Sequence, residues 1–525
     1  MNPEMIEQLK NPEVFPERPE EVEIIQTHLS IVCLAGDRVY KLKKSIKLPF
    51  ANFSSLENRH DYCEEELRLN RRLCPEVYLG VVPLVKLPAG HLKFAVRGDQ
   101  STDAAPIDWA VRMTRLPADR MLDVLLEAGR VEEEEIDGIA SRMVAFHKKA
   151  RRGREVADLG DPRKLRQFAF ENFEETRSQT GKVFPADLHR ALENRTRQDF
   201  DRSAELLQQR AEDGFVVDGH GDLHARNICL TDPVTIYDCI EFNPGFRCGD
   251  VASEHAFLVM DLRFRGEAHL AHRYLKRVTD LSGDEDLGRL LPMLVRYRAM
   301  VRAKVAAITA GEDEISAGEQ TKAAETARAY LRFAGATALE DRPPLWIALC
   351  GLPATGKSTL AGELKKAAGE TWPLFSSDPV RKELAGFSPD ERLPGSYYQA
   401  DFSRRTYDEL YRRAQAASGK EPLIILDANF RSREERSQLG KAARQSGARL
   451  ALIEVTANEE RIRDRLRERA ASNDSASDAD LEVYERLKTT FEPPLPDEAD
   501  QVVKIPSDPN PGLMVDRVIA KLVSV

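Results

Sequence analysis

Short apolar runs near the start of the chain predict β-strands. Ile24–Ile25, Ile31–Leu34 and Val39–Tyr40 are rich in β-favouring residues, and the turn at Gly36 separates the last two runs. A second group of apolar runs follows further along the chain. This group predicts strands at Val81–Leu84, Leu92–Val96 and Trp109–Met113.

The apolar spacing changes between Leu56 and Leu73, where Tyr62, Glu66 and Leu69 fall on one face at intervals of four and three residues. This spacing predicts a helix, with Glu66 on its inward side. Further helices are predicted from Arg120 to about Gln208 and from Val251 to about Ala336. Short strands around a turn-rich centre are predicted between them, from Phe215 to Phe242.

The second half alternates apolar strands with helical segments, which predicts a parallel sheet. The small residues, charges and paired prolines of Ala334–Pro344 mark a linker candidate before it. We therefore expect an α+β domain over residues 1–338, a linker over 339–344 and an α/β domain over 345–525.

The clearest motif is a glycine-containing loop that follows the apolar strand Trp346–Cys350 and precedes a helix. It fits G-x-x-x-x-G-K-[ST], in which backbone N–H groups face phosphate oxygens, the lysine reaches the β- and γ-phosphates and the Ser hydroxyl ligates Mg²⁺. The predicted nucleotide-binding residues are Gly351, Leu352, Pro353, Ala354, Thr355, Gly356, Lys357, Ser358 and Thr359.

Two acidic residues and a row of arginines accompany this loop. Asp427 ends an apolar strand, where it could hold the metal or simply cap the next turn. Asp378 could accept a proton from a substrate hydroxyl or act only as a helix cap. Arg461, Arg465 and Arg469 recur every four residues and could close over a phosphoryl group, with Arg465 as the central candidate. The alternative is a solvated helix that pairs them with neighbouring acids.

This half resembles small P-loop kinases of the gluconate-kinase, polynucleotide-kinase and zeta-toxin type. The resemblance is carried by GLPATGKST, SSDPVRKEL, LIILDANFRSREER and the arginine-rich helix that follows. It implies phosphorylation of a hydroxyl group, with Asp378 as the base and the arginine helix as a lid.

The first half contains an acid–amide–acid set on two apolar runs. Asp222 and Asn227 are five residues apart, and Asp238 follows eleven residues later. Phosphoryl transfer from ATP requires one carboxylate for the attacking hydroxyl, and an amide with a second carboxylate for metal ions. Asp222, Asn227 and Asp238 therefore form a candidate set for phosphoryl transfer.

The pattern HGDLHxxN with a later strand-end Asp resembles aminoglycoside phosphotransferases and the related choline and homoserine kinases. The resemblance implies a two-lobed, protein-kinase-like fold, with Asp222 as the catalytic base and with Asn227 and Asp238 as Mg²⁺ ligands. It also implies a lysine for the ATP phosphates and a helix glutamate that orients it. Lys41 and Glu66 are the candidates, because a buried Glu66 needs a charged partner. Lys43, which has the same strand parity, and Glu65 are their alternatives. The order of the two halves resembles bacterial bifunctional aminoglycoside phosphotransferase/ATP-binding proteins.

Composition narrows the class of partner. Of the 525 residues, 31% are charged and the net charge is −10, which argues against a general nucleic-acid or membrane-surface binder. No basic leader or long apolar run is present, so we expect a cytoplasmic enzyme. The expected activity is transfer of the γ-phosphate of ATP to small-molecule hydroxyl groups by both halves. The alternatives are one active half with a regulatory partner half, a nucleotide-sensing scaffold without turnover, and a nucleic-acid end-kinase.

Overall fold

The computed structural model describes residues 3–48, 51–88, 90–96, 104–312, 315–341, 344–388, 390–472 and 481–524, with the side chains of residues 3 and 469–472 excepted. The chain separates into two compact units. The first comprises Met1–Phe168, Ser203–Leu262 and His269–Leu291, and the second comprises Ala169–Arg202, Arg263–Ala268 and Pro292–Val525. Several segments of the first sequence half therefore belong to the second unit.

The strands of the first unit are short and mostly antiparallel. Their bounds are β1 (Val22–Gln26), β2 (Ser30–Ala35), β3 (Arg38–Lys43), β4 (Lys47–Leu48), β5 (Ala51–Asn52), β6 (Tyr78–Lys86), β7 (Leu92–Phe94), β8 (Pro106–Thr114), β9 (Val216–Asp218), β10 (Ile228–Cys229), β11 (Thr235–Ile236) and β12 (Cys248–Asp250). Within the described residues, six of them form one sheet in the order β1-β2-β3-β8-β6-β7. The smaller pair β9–β12 joins the two ends of the segment from Asp218 to Asp250, and the pair β10–β11 lies within this segment.

The hairpin of β2 and β3 places Lys41 in the middle of this sheet. Lys41 lies opposite Val32 on β2 and Val111 on β8. Gly36 forms the turn with a φ of 63°, a conformation that favours glycine. Side chains two residues apart on a strand share a face, so Lys41 and Lys43 point to the same side.

Twelve α-helices of the described residues precede strand β13 (Leu345–Cys350), and one of them, α2 (Leu56–Asn70), covers the six-stranded sheet. Their bounds are α1 (Pro3–Gln8), α2 (Leu56–Asn70), α3 (Leu122–Glu127), α4 (Glu133–Lys149), α5 (Arg154–Leu159), α6 (Pro162–Thr176), α7 (Ala186–Glu212), α8 (Pro244–Arg247), α9 (Val251–Phe264), α10 (Ala268–Ser282), α11 (Leu287–Thr309) and α12 (Ala317–Glu340). Helix α2 packs on β6 and β8, and the Ser55 side chain caps its first turn by accepting the Asn58 N–H. Glu66 on α2 is fully buried, as its place on the predicted apolar face requires.

The second unit contains a parallel sheet. Its strands are β13 (Leu345–Cys350), β14 (Leu374–Ser376), β15 (Leu423–Asp427), β16 (Arg449–Thr456) and β17 (Gln501–Pro506), and the helices between and after them are α13 (Lys357–Ala367), α14 (Ser377–Ala385), α15 (Ala400–Ser418), α16 (Arg433–Gln445), α17 (Glu459–Ser472), α18 (Leu481–Thr490) and α19 (Pro511–Val523). Over the part of the chain that the structure describes, the strand order is β14-β15-β13-β16-β17. Every residue of β13 is buried, as expected for a central strand covered on both faces.

The register of this sheet brings the carboxyl ends of three strands to the same level. Asp427 at the end of β15 lies opposite Leu349 of β13 on one side and Ser376 of β14 on the other. The segments that follow these strands therefore meet at one edge, where open parallel sheets bind ligands.

The predicted fold classes are confirmed: a kinase-like α+β first half precedes an α/β P-loop half with a parallel sheet. One local conformation differs from the expectation. Helix α12 continues to Glu340, so Ala334 and the start of the predicted linker are helical. Small residues here allow close helix packing, since a Cβ added at Gly335 would lie 2.5 Å from the Ile519 side chain. The division at residues 338 and 345 stays a prediction.

Candidate active sites

The first site is organised around a buried carboxylate. The Nζ atom of Lys41 lies 2.9 Å from Oε1 of Glu66 and also contacts the carboxylate of Asp238. The Lys41–Glu66 pair that the sequence suggested is therefore present, and Asp238 joins it. Lys41 consequently links the sheet, helix α2 and the segment after β11.

Both members of the pair are charged at neutral pH. Burial alone would raise the pKa of Glu66, but Lys41 and Lys43 outweigh it and lower the pKa to about 2. Burial would likewise lower the pKa of Lys41, but Asp238 and Glu66 raise it well above its ordinary value. Lys41 is therefore a protonated ammonium group paired with the carboxylates of Glu66 and Asp238.

The alternatives Lys43 and Glu65 occupy different positions. Lys43 is only 1% exposed, against 15% for the Lys41 side chain, and it lies 2.8 Å from Oε2 of Glu66. Glu65 points away from both lysines and pairs with Arg68 at 2.7 Å and Arg247 at 3.1 Å. Lys41 is thus the more accessible lysine of the two, and Glu66 is the acid that orients it.

The candidate base lies in a loop that Asn227 closes. The Nδ2 group of Asn227 donates to Oδ2 of Asp222 at 3.0 Å and to its carbonyl oxygen at 2.9 Å. Nε2 of His224 lies 3.2 Å from the same carboxylate oxygen. The Asp222 side chain is 31% exposed, so its carboxylate remains accessible to a substrate hydroxyl.

The backbone at Asp238 is held from several sides. Its φ of 62° is left-handed, which is uncommon for a residue with a side chain. Its N–H donates to the Tyr78 hydroxyl at 3.3 Å, and the N–H of Cys239 donates to Oδ1 of Asn70 at 2.9 Å. Asn70 also donates to the carbonyl oxygen of Glu66 at 2.9 Å, so the Asp238 segment is tied to helix α2.

Asp222, Asn227 and Asp238 are joined through one hairpin. The N–H of Tyr237, next to Asp238, donates to the Asn227 carbonyl oxygen at 3.0 Å. The accessible carboxylate of Asp238 and the amide oxygen of Asn227 are oxygen donors of the kind that a hard divalent cation prefers. The donor set therefore fits Mg²⁺, with Asn227 using its amide oxygen because its amide nitrogen serves Asp222.

Sequence reasoning missed the support beneath this loop. Glu254 of α9 accepts the Gly221 N–H at 2.7 Å and the N–H of His220, and its other oxygen lies 2.6 Å from His147. Burial would raise the pKa of Glu254, but the hydrogen bond from His147 and its charge lower it to about 2. A Cβ at Gly219 would lie 2.1 Å from Glu254, which explains the glycine there. No short motif links residues this far apart in sequence.

The second site is built on the loop between β13 and α13. Gly351 and Gly356 have φ values of 138° and 101°, and a Cβ at Gly351 would lie 2.5 Å from the Val455 carbonyl oxygen. Nζ of Lys357 donates to the carbonyl oxygens of Gly351 at 3.0 Å and Leu352 at 2.9 Å. The loop therefore curls around the lysine, and Ser358 lies exposed at the start of α13.

The other predicted nucleotide-binding residues lie in the same loop or in the first turn of α13. Thr355 donates from its hydroxyl to the Leu352 carbonyl oxygen at 2.9 Å, Ala354 has a left-handed φ of 59°, and Pro353 is buried. Thr359 is exposed beside Ser358 in the first turn of α13. A helix N-terminus behind such a loop is a site for phosphate oxygens.

The acidic candidates lie beside this loop. Asp427 is 7% exposed, and the Ser376 hydroxyl donates to its Oδ2 at 3.5 Å. Asp378 lies in the first turn of α14, two residues after Ser376, and is half-buried. The interpretation of Asp378 as the helix cap does not hold, since Ser376 occupies the N-cap position. Register thus brings Asp378 and Asp427 to the edge that carries the P-loop.

The arginine helix α17 contacts the P-loop. Nη1 of Arg465 donates to the Ala354 carbonyl oxygen at 3.0 Å and to the Ser507 hydroxyl at 3.1 Å. Arg461 reaches the Ser507 carbonyl oxygen at 3.4 Å. The side chain of Arg469 lies outside the described part of the chain. Arg465 is therefore directed at the phosphate loop, and its neighbours Arg463 and Arg467 form the surface ion pairs instead.

A family model described as an AAA domain matches residues 346–494, which hold this second site. This match confirms the P-loop kinase half of the predicted fusion, and the contacts of Lys41 with Glu66 and Asp238 agree with the predicted aminoglycoside-phosphotransferase-like first half. They support nucleotide binding and phosphotransferase chemistry in general. Among the helices of the described residues, none has both the length and the apolar composition needed to cross a membrane.

Uncharacterized protein Rv2004c of Mycobacterium tuberculosis (strain ATCC 25618 / H37Rv) is 31% identical to this chain over 472 residues, which make up 89% of each protein. Two solved structures overlap with parts of the chain. Amicoumacin kinase hAmiN, in complex with AMP-PNP, Ca²⁺ and Ami, covers 63% of this chain and 93% of its own at 12% identity and a TM-score of 0.36. Chaetomium thermophilum Kti12, in complex with ADP-AlF3, covers 34% and 100% at 19% identity and a TM-score of 0.27.

Acid titration should reveal the role of Glu254. Its pKa lies at about 2 in the folded chain, below its ordinary value of 4.5, so the stability it contributes is present above pH 4.5 and is lost as the pH falls towards 2. We expect Glu254→Gln to lower the melting temperature at pH 7 and to flatten its decline between pH 4.5 and pH 3. Melting temperatures recorded across this range measure both effects.

The matched control is Glu205→Gln on the exposed surface of α7, which should follow the parent protein. An acid dependence of Glu254→Gln that equals that of the parent would show that this carboxylate does not support the loop.

Proposed function

We propose, on the premise that this chain belongs to the same family as the mycobacterial protein, that it is an ATP-dependent phosphotransferase with two separate sites. Each site transfers the γ-phosphate of ATP to a hydroxyl group of a small molecule. The observation that carries the proposal is the contact of Lys41 with both Glu66 and Asp238, next to the Asp222–Asn227 pair. Nucleotide binding alone would not require a base such as Asp222.

In the first site, Lys41 binds phosphate oxygens of ATP while Glu66 fixes its ammonium group. Asp222 accepts the proton of the acceptor hydroxyl, whose oxygen forms a bond to the γ-phosphorus as the bond to the β-phosphate oxygen breaks. ADP then leaves with the electron pair of that bond. The hydrogen bond from Asn227 keeps the Asp222 carboxylate in one orientation during this step.

Asn227 and Asp238 would hold Mg²⁺, which neutralises charge on the ATP phosphates when it is bound. Lys41 already contacts Asp238. With metal and nucleotide bound, Asp238 would face the cation and Lys41 would face the phosphates, so their mutual contact would be replaced. This exchange couples nucleotide binding to metal binding in the first site.

In the second site, Lys357 leaves the carbonyl oxygens of its own loop to bind the β- and γ-phosphates. Ser358 and Asp427 are the proposed metal-binding groups, and Asp378 accepts the proton of the acceptor hydroxyl. Arg465 stands over Ala354, where it stabilises negative charge on the transferring group. Gly351 and Gly356 let the backbone approach the phosphates closely.

The acceptor, the domain limits and the location are part of the proposal. Small-molecule hydroxyl compounds fit the net charge of −10 better than nucleic acid does. The proposed domains are residues 1–338 and 345–525, in a protein of the cytoplasm. The second candidate function is a chain with one active half and one nucleotide-binding regulatory half. It is favoured by the β1–β2 turn of the first half, which has no glycine-rich loop to cover the ATP phosphates and is closed instead by hydrogen bonds between Thr27 and Ser30.

Replacing Asp222 with Asn should abolish transfer by the first half while ATP binding stays nearly intact. The loss of a general base lowers the rate on the order of 10²–10⁴-fold, and the amide keeps the size of the side chain. The measurement is phosphate transfer from γ-labelled ATP to a library of metabolites, with ATP binding measured separately.

The control is Asp213→Asn, an exposed position directly after helix α7, and this variant should keep full activity. If Asp222→Asn transfers phosphate to every product at the parent rate, Asp222 is not the base.

Replacing Lys357 with Ala should disable the second half only. Loss of its contacts with the phosphates should lower turnover there on the order of 10²-fold or more, because a preorganised charge facing the transferring group is removed. The same labelled screen should lose one group of products and retain the other. Lys366→Ala on the exposed face of α13 is the control. Survival of all products in Lys357→Ala would refute the P-loop assignment.

A further inference from the structure

The first site contains a second buried ion pair that the proposed reaction does not use. Lys43 contacts the carboxylate of Glu241 and lies 2.8 Å from Oε2 of Glu66. Lys43 is 1% exposed and Glu241 is 8% exposed. Their burial excludes direct binding of nucleotide phosphates by Lys43, so the pair needs another explanation.

The pair extends the Lys41 cluster into a chain of alternating charges. Its members in order are Asp238, Lys41, Glu66, Lys43 and Glu241. The two oxygens of Glu66 each face one lysine. The two ends of the chain lie three residues apart in sequence, so the segment 238–241 is fastened to strand β3 at both ends.

The burial of these charges favours one position of the segment 238–241. A buried carboxylate is costly unless a cation compensates it, and Glu66 and Glu241 share Lys43. Burial would lower the pKa of Lys43, but Glu241 and Glu66 raise it above its ordinary value, so Lys43 stays charged. The Lys43 ammonium also lies 5.3 Å from the centroid of the Phe53 ring, which adds a favourable contact. Moving the segment 238–241 would separate these charges.

We propose that Lys43 and Glu241 are positioning residues that fix Glu66 and Asp238 in the geometry that binds the metal–nucleotide complex. The inference rests on the proposed function of the first half. Lys43 holds the second oxygen of Glu66, so that the first oxygen faces Lys41. Glu241 anchors the segment that presents Asp238 to the metal.

The test uses the full chain carrying Lys357→Ala, which leaves nucleotide binding to the first site. Dissociation constants are measured by titration calorimetry with ATP plus Mg²⁺ and with ATP plus a chelator. The dissociation constant with chelator divided by the dissociation constant with Mg²⁺ reports how strongly the metal contributes to ATP binding, and this quotient is the ratio used below. The variants are Glu241→Gln, Lys43→Met and the double substitution, and the control is Lys86→Met at the exposed end of β6.

We expect Glu241→Gln to reduce the ratio on the order of 10-fold or more, since groups that orient metal ligands typically contribute 10–100-fold. Glu241→Gln keeps Lys43 paired with Glu66, so this variant should fold even if Lys43→Met does not. The double substitution should be milder than the sum of the single ones, because Glu241 is then no longer a buried carboxylate beside the missing Lys43, and only Glu66, which keeps Lys41, has lost a cation. Lys86→Met should equal the parent.

A lowered melting temperature with an unchanged ratio in Glu241→Gln would assign the pair to stability alone and overturn the inference. Failure of the Lys357→Ala parent to bind ATP with Mg²⁺ would overturn the proposed function of the first half and the inference with it.

Discussion

The first half depends on one constraint, the burial of the Glu66 carboxylate between two lysines. A carboxylate with no access to solvent must be compensated, and Lys41 and Lys43 each take one of its oxygens. Because both lysines lie on β3 and Glu66 lies on α2, the constraint fixes the helix on the sheet. It also directs Lys41 towards Asp238, so the charges that compensate the buried carboxylate also form the proposed phosphate-binding site.

In the second half the corresponding constraint is steric. The backbone of the P-loop passes so close to the Val455 carbonyl oxygen that position 351 accepts only glycine. That closeness allows the loop to curl around Lys357. Asp427 and the segment carrying Asp378 then reach the same edge through strand register, without any direct contact with the loop being required. Both halves therefore bring a lysine and carboxylates into one region, the arrangement on which the proposed phosphate chemistry depends.

The sequence predicted features that are local. The hairpin at Gly36, the helix that carries Glu66 and the strand before the P-loop each follow from periodicity or turn chemistry within a few residues. The hydrogen bonds of Glu254 with the loop at Gly221, and of Tyr78 with Asp238, join residues far apart in the chain. No spacing rule predicts such contacts.

Two other features could not be predicted correctly from composition or strand parity. The small residues around Gly335 suggest a linker, yet they permit a close contact between α12 and α19. The choice between Lys41 and Lys43 could not be made from strand parity, because both point to the same side. It required the side-chain exposures, which depend on Glu241.

The central claim is that one chain binds two metal–nucleotide complexes in two different folds. The most direct test is the number of molecules of a non-hydrolysable ATP analogue with Mg²⁺ that bind per chain, measured by equilibrium dialysis of the unmodified protein. The account predicts two molecules per chain at saturation. A saturation value of one or none would contradict it.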